Sequence, residues 1–218
     1  MNFPLIVVAT RNPHKLAELR KLLGVPVEKL RAATDFPGAP DVEEDGATFE
    51  ANALIKARGV CAFTSAWALA DDSGLEVDAL GGAPGVHSAR YAGHHGDDEA
   101  NNRLLLDKLA DVPASRRTAR FACAIALVSP DGREFTATGV CPGQILFEPR
   151  GSNGFGYDPL FLPDGHDKTF AELASDVKCA FSHRAAAAAA MRKTIQSLFG
   201  VLQTNAATPQ PQEPCHEC

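Results

Sequence analysis

Two adjacent aspartates, Asp71 and Asp72, directly follow an apolar segment at residues 67–70 that is typical of a short buried strand. Ionised carboxylates belong in water unless something compensates their charge, so this pair suggests a bound cation. An acidic run precedes them and consists of Asp41, Glu43, Glu44 and Asp45. Oxygen ligands with no His or Cys nearby favour a hard cation such as Mg²⁺. For the acidic run alone, a solvated surface loop is the alternative interpretation.

A second group of chemically interesting residues lies where the apolar segment 3–9 meets a helix. Asn12 is a good N-cap, and Pro13 suits the first helical position. A helix start offers unpaired N–H groups to an anion, and Lys15 could add an ammonium group. An ordinary capped helix with a solvated lysine is the alternative, and this segment alone favours it. The GxxxxGK[ST] pattern is missing, which argues against a P-loop ATPase.

The third group is a glycine-rich loop at residues 151–159, followed by Lys178 and Arg184. Glycines let a backbone approach a flat ligand, and Phe155 offers a π-face to a base. Lys and Arg side chains donate hydrogen bonds only, so they match carbonyl oxygens rather than an amino group. A surface turn followed by a helix capped by Ser182 is the alternative.

Strands and helices must bring these three groups together. Leucines at helical spacing predict a helix from Pro13 to Gly24, and Thr48 can cap a second helix. Further helices are predicted over residues 101–109 and 185–199, and strands over residues 119–128 and 134–140. Mixed strands and helices in this order indicate an α/β fold.

Composition restricts the class of protein. The chain has 218 residues and a formal net charge of -6. Phosphate contacts on nucleic acid need clustered Lys and Arg, so this acidity argues against nucleic acid as the partner. The longest apolar run near the start is far shorter than the ~20 residues of a membrane span, so neither a membrane anchor nor a signal peptide is expected.

The six cysteines are scattered, mostly in apolar stretches, which suits buried thiols in a cytoplasmic protein better than a disulfide framework. We expect one two-lobed domain over residues 1–202. From residue 203 the sequence is polar and rich in Pro, so residues 203–218 are expected to be a disordered tail.

Six segments in this order resemble the inosine triphosphate pyrophosphatase family, whose members hydrolyse deaminated purine nucleoside triphosphates (dITP, ITP, XTP). The segments are residues 10–15, 43–57, 70–75, 84–91, 154–159 and 182–184. The resemblance covers about residues 5–200. It implies a long mixed central sheet flanked by helices, two lobes with a nucleotide cleft between them, a homodimer and Mg²⁺ dependence.

The resemblance also implies individual roles. The phosphate-binding turn falls on Thr10, Arg11, Asn12, Pro13, His14 and Lys15. The metal-binding carboxylates fall on Glu43 and Asp72, Asp72 is also the proton acceptor, and Ser73 contacts the substrate. The base pocket falls on Phe155, Gly156, Tyr157, Asp158, Lys178, His183 and Arg184.

The expected reaction is attack of water on the α-phosphorus, with pyrophosphate as the leaving group. Two rival functions remain at this stage. One is a related pyrophosphatase with another base preference, such as modified pyrimidines, which a nucleotide panel would distinguish. The other is a non-catalytic nucleotide sensor, which would require one of the acids Glu43 and Asp72 to be missing.

Overall fold

A six-stranded sheet runs through residues 3–200, which are the residues that the computed structural model describes. The strands are β1 (Ile6–Val8), β2 (Leu30–Ala32), β3 (Trp67–Val77), β4 (Thr118–Val128), β5 (Glu134–Ile145) and β6 (Phe161–Pro163). Their order is β2-β1-β3-β4-β5-β6. β1 is parallel to both of its neighbours, and the pairs from β3 to β6 are antiparallel.

Within residues 3–200, five α-helices accompany the sheet. They are α1 (Pro13–Leu22), α2 (Phe49–Thr64), α3 (Asp98–Lys108), α4 (Ser175–Phe181) and α5 (His183–Phe199). The predicted caps are confirmed, because the side chains of Asn12, Thr48 and Ser182 accept hydrogen bonds from the first turns of α1, α2 and α5. Together the sheet and helices confirm the predicted α/β fold.

The core is divided into three clusters. Aliphatic residues such as Leu69 and Met191 fill the face of the sheet that α1 and α5 cover. Small residues such as Ala57 and Ala70 bring α2 close to the opposite face. A third cluster surrounds Phe121 and packs β4 and β5 against the segment after β6. No helix within residues 3–200 is long and apolar enough to cross a membrane.

Strand β3 differs from its prediction, and the difference affects the site. The sequence predicts a strand that ends at residue 70, but β3 continues to Val77 because it pairs with β4 along its whole length. Asp71 and Asp72 therefore lie inside a strand, where successive side chains point to opposite faces. Asp71 lies on the α5 face with Leu69, and Asp72 lies on the α2 face with Ala70.

The predicted disordered tail, residues 203–218, lies outside the described residues, so the predicted boundary at residue 202 stays a prediction.

Candidate active site

Asp72 is held by two side chains of α2. Asn52 Nδ2 donates to Asp72 Oδ2 at 3.1 Å, and Lys56 Nζ lies 3.1 Å from Asp72 Oδ1. Asn52 and Lys56 are four positions apart, so they share the helix face that packs on β3. Only 9% of the Asp72 side chain is exposed. Burial raises the pKa of Asp72, and the charges of Lys56 and Lys15 offset part of that rise.

Glu44 approaches the same lysine. Its Oε1 lies 3.1 Å from Lys56 Nζ, so Glu44 and Asp72 converge on one ammonium group. Arg90 Nη2 donates to the Glu44 backbone carbonyl at 3.1 Å and fixes the loop there. Burial opposes the charged form of Lys56, but the two carboxylates raise its pKa. Lys56 therefore carries a positive charge between two acids.

Asp71 forms a separate ion-pair cluster on the opposite face. Arg184 Nη2 lies 3.0 Å and Lys15 Nζ 3.4 Å from Asp71 Oδ2. Arg184 Nη1 also lies 2.5 Å from Glu18 Oε2, and its Nη2 donates to Ser73 Oγ at 2.7 Å. Burial alone would raise the pKa of Asp71, but Lys15 and Arg184 together lower it far below its usual range.

The turn before α1 satisfies its own backbone. Asn12 Oδ1 accepts from the N–H groups of His14 and Lys15 at 2.9 and 3.2 Å, and Thr10 Oγ1 accepts from the Asn12 N–H at 3.1 Å. The expectation that these N–H groups would be unpaired is therefore wrong, because the cap that starts the helix also occupies them. Cations at this turn come from side chains, with Lys15 half-buried and Arg11 exposed beside Asp41.

A cleft of about 460 Å³ opens between α1 and the segment of residues 153–178. Its lining residues include His14, Glu18, Asn153, Phe155, Phe170 and Lys178. Lys178 Nζ lies 5.1 Å from the centre of the Phe155 ring and 5.0 Å from that of Phe170. An aromatic ring beside a fixed ammonium suits a flat ligand with carbonyl oxygens.

The loop that carries Phe155 is anchored at several points. Asp158 Oδ2 accepts from the Phe155 N–H at 3.0 Å and from Lys178 Nζ at 2.5 Å. On α3, Asp98 accepts from the Gly156 N–H at 2.6 Å and Asn102 donates to the Gly156 carbonyl at 2.9 Å. These contacts hold the backbone of the loop that carries Phe155.

Three residues of the predicted base pocket lie behind the cleft. The His183 ring stacks on Phe121 with centroids 4.7 Å apart. Burial lowers the pKa of His183 far below its usual value, so its imidazole is neutral. Tyr157 is buried and donates to the Ser88 carbonyl at 2.9 Å. Arg184 is 1% exposed, and its Cζ lies 5.9 Å from the centre of the Phe155 ring.

Comparison with known proteins identifies the family. The model of the Ham1 family matches residues 6–194. The chain belongs to the Ham1 family. A protein of Leifsonia xyli named dITP/XTP pyrophosphatase is 53% identical over 88% of this chain and 96% of its own length. A protein of Exiguobacterium sibiricum with the same name is 50% identical over 89% of this chain and 98% of its own length.

Solved structures of the Ham1 family agree with the fold. A HAM1 protein from Coxiella burnetii has a TM-score of 0.81 at 43% identity and covers 89% of this chain and 99% of its own. A structure described as nucleoside-triphosphatase / dITP/XTP pyrophosphatase from Mycobacterium abscessus has a TM-score of 0.72 at 53% identity, covering 85% and 97% of the two chains. The resemblance noted in the sequence is thus confirmed.

The structure brings some of the predicted site residues together in two groups, with His14, Phe155 and Lys178 at the cleft and Lys15 and Arg184 beside Asp71. Glu43 belongs to neither group. Within residues 3–200, the exposed Glu43 forms no ion pair with Lys56, whereas its neighbour Glu44 does. Asn52, Lys56 and Glu18 were missed by the sequence reasoning. The spacing of Asn52 and Lys56 on a helix that packs against the aspartate strand was an available signal.

Proposed function

We propose that this chain hydrolyses deaminated purine nucleoside triphosphates (dITP, ITP and XTP) to the nucleoside monophosphate and pyrophosphate. One observation carries the proposal. His14 lines the aromatic cleft. The next residue, Lys15, faces the acidic residue Asp71. A nucleotide needs this arrangement, with its phosphates beside cations and its base in an apolar slot. The relatives named dITP/XTP pyrophosphatase support the substrate class.

The acids fit a divalent cation. Glu44 and Asp72 already converge on the ammonium group of Lys56, each at 3.1 Å, so the pair accepts a positive charge between them. Residues 3–200 contain no cluster of three or more metal-ligating side chains. Mg²⁺ suits such a site, because it takes one or two carboxylates and completes its shell with water and substrate phosphates. Glu44 and Asp72 would hold it.

The chemistry that a bound Mg²⁺ supplies is neutralisation of charge on the triphosphate oxygens. The Asp72 carboxylate accepts the proton of the water that attacks the α-phosphorus. Lys15 stabilises the negative charge that builds on the departing pyrophosphate. Asn52, bonded to Asp72 Oδ2, orients the carboxylate for this role.

The choice of base follows from side chains that donate hydrogen bonds but cannot accept them. Lys178 lines the cleft and carries only N–H donors, so it matches the 6-carbonyl of hypoxanthine or xanthine. The 6-amino group of adenine would face it donor against donor, leaving polar groups unpaired. Arg184 already donates to Asp71, Glu18 and Ser73, so its predicted contact with the base stays a prediction.

A nucleotide panel tests the proposal. The purified protein is incubated with Mg²⁺ and dITP, ITP, XTP, dATP, dGTP or modified pyrimidine triphosphates, and the phosphorus species are identified by NMR. We expect pyrophosphate, with kcat/KM for dITP above that for dATP by about 10⁴-fold, as for sites that hydrogen-bond a substrate group. A preference for modified pyrimidines, or release of orthophosphate, would refute it.

Asp72→Asn tests the proposed catalytic role of the Asp72 carboxylate. It keeps the size of the side chain and removes its charge, so it should lower kcat by about 10²–10⁴-fold with little change in fold.

Association as a homodimer and a cytoplasmic location also stay predictions. Sedimentation of the purified chain would test whether it forms a homodimer.

A further inference from the structure

His14 belongs to the predicted phosphate-binding turn, but its side chain lies elsewhere. Its ring is nearly parallel to that of Phe155, with the centroids 5.7 Å apart and 22° between the planes. Both rings line the cleft, His14 from α1 and Phe155 from the opposite wall. The His14 N–H is already bound to Asn12 Oδ1. Neither the ring nor the backbone N–H of His14 is therefore directed to a phosphate.

We propose that His14 and Phe155 form the two walls of a sandwich in which the purine base is held. The inference rests on the proposed function and assigns His14 to the base rather than to the phosphates. Lys15, the next residue, faces Asp71 at 3.4 Å. Two consecutive residues at the start of α1 therefore serve opposite ends of the nucleotide, His14 the base and Lys15 the phosphates.

The present distance between the rings is too small for a third ring. Carbon atoms in contact are about 3.5 Å apart, so an inserted base needs roughly 7 Å between the rings. The 5.7 Å separation must therefore widen by about 1 Å or slightly more. His14 is exposed, whereas the loop of Phe155 is held by Asp158 and Asp98. His14 is the wall that moves.

Stacking has a signature that a phosphate contact lacks. Every base has a π-face, so a stacking residue adds affinity with little regard to base identity. His14 should therefore affect the binding of inosine and adenosine nucleotides alike. Selection between the two bases remains with the donors, Lys178 above all.

The test measures binding of two ligands to wild type, His14→Ala and His14→Phe by titration calorimetry. Inosine monophosphate carries the base, and tripolyphosphate carries phosphates alone. We expect His14→Ala to weaken inosine monophosphate binding by about 5- to 150-fold, the range that base–aromatic stacking supports. Tripolyphosphate binding should stay within about twofold, and His14→Phe should retain the affinity for inosine monophosphate, because it restores a ring.

Each other result overturns the inference. An unchanged dissociation constant for inosine monophosphate would remove His14 from the base site, and tighter binding would make it an obstacle to the base. An equal loss for tripolyphosphate would place it at the phosphates. Failure of the proposed function is distinguishable, since wild type would then bind no inosine monophosphate and leave dITP intact. If wild type hydrolyses dITP but His14→Ala binds normally, only the sandwich is refuted.

Discussion

At the scale of single residues, Asp71 and Asp72 have different partners because they point to opposite faces of β3. Asp71 pairs with Arg184 and Lys15, whereas Asp72 contacts Lys56 and Asn52 on α2. The two carboxylates therefore do not act as a pair of ligands for one metal ion. The second acid of the proposed metal site comes from the loop before α2.

The first prediction separates Glu44 from Glu43. Glu44→Gln should raise the Mg²⁺ concentration needed for half-maximal activity by roughly tenfold or more, since even groups that only orient a ligand change metal affinity by about 10–100-fold. Glu43→Gln should leave this concentration nearly unchanged, because Glu43 is exposed and apart from Lys56. Mg²⁺ titration of initial rates measures both variants. A larger effect from Glu43→Gln would restore Glu43 as the ligand.

The second prediction concerns Arg184. Removing one partner of a buried ion pair leaves an uncompensated charge, so Arg184→Ala should lower the free energy of unfolding by about 3–5 kcal/mol. Arg58→Ala is the control, because Arg58 makes a two-point contact with Glu134 at 2.6 and 2.7 Å on the exposed surface. Such pairs contribute about 0–1 kcal/mol. Similar losses in the two variants, measured by urea unfolding, would contradict a structural role for Arg184.

At the scale of elements, Gly139 lets the N-terminus of α5 lie directly on β5. A Cβ at this position would overlap the His183 carbonyl oxygen and the Ala187 nitrogen, which are backbone atoms of the helix. The same helix start carries Arg184, the partner of Asp71. The packing of one strand against one helix thus positions an ion pair beside the site.

The third prediction follows from this contact. Gly139→Ala should push α5 from the sheet and cost about 1–3 kcal/mol, the usual range for overpacking, with a loss of activity as Arg184 shifts. Thr138→Ala is the matched control, since Thr138 is the preceding residue of β5 and its side chain is exposed. Melting temperatures and dITP turnover are compared. A stable and fully active Gly139→Ala variant would show that α5 can move without affecting the site.

The starts of α1, α2 and α5 could be predicted from the sequence because their signals are local. Asn12, Thr48 and Ser182 each cap the N–H groups of the next few residues, and no distant contact is needed. Strand ends could not be predicted in the same way. β3 continues beyond residue 70 because β4, about 50 residues later in the chain, pairs with it.

The same limit applies to the site. Nothing local distinguishes Glu43 from Glu44, since they are consecutive acids in one loop. Arg90, which lies 46 positions away in the sequence, fixes the backbone of Glu44. Lys56 of the next helix, α2, attracts its side chain. The short strands β2 and β6 were also missed, because three residues carry too little periodicity to be recognised.

At the scale of the whole molecule, the cleft lies between elements that belong to two different core clusters. α1 packs in the cluster around Leu69, and the segment after β6 packs in the cluster around Phe121. Arg117 connects the end of α3 to the end of β5, donating to the carbonyls of Leu109, Ile145 and Leu146 at 2.8–2.9 Å. The proposed nucleotide site therefore lies where the two core clusters meet.

The most direct test of the central claim is hydrolysis of dITP in water enriched in ¹⁸O, with the products analysed by mass spectrometry. If water attacks the α-phosphorus, as proposed, one ¹⁸O atom enters the nucleoside monophosphate and none enters the pyrophosphate. Label in pyrophosphate would place the attack at the β-phosphorus, and label in orthophosphate would place it at the γ-phosphorus. Either result would contradict the proposed reaction.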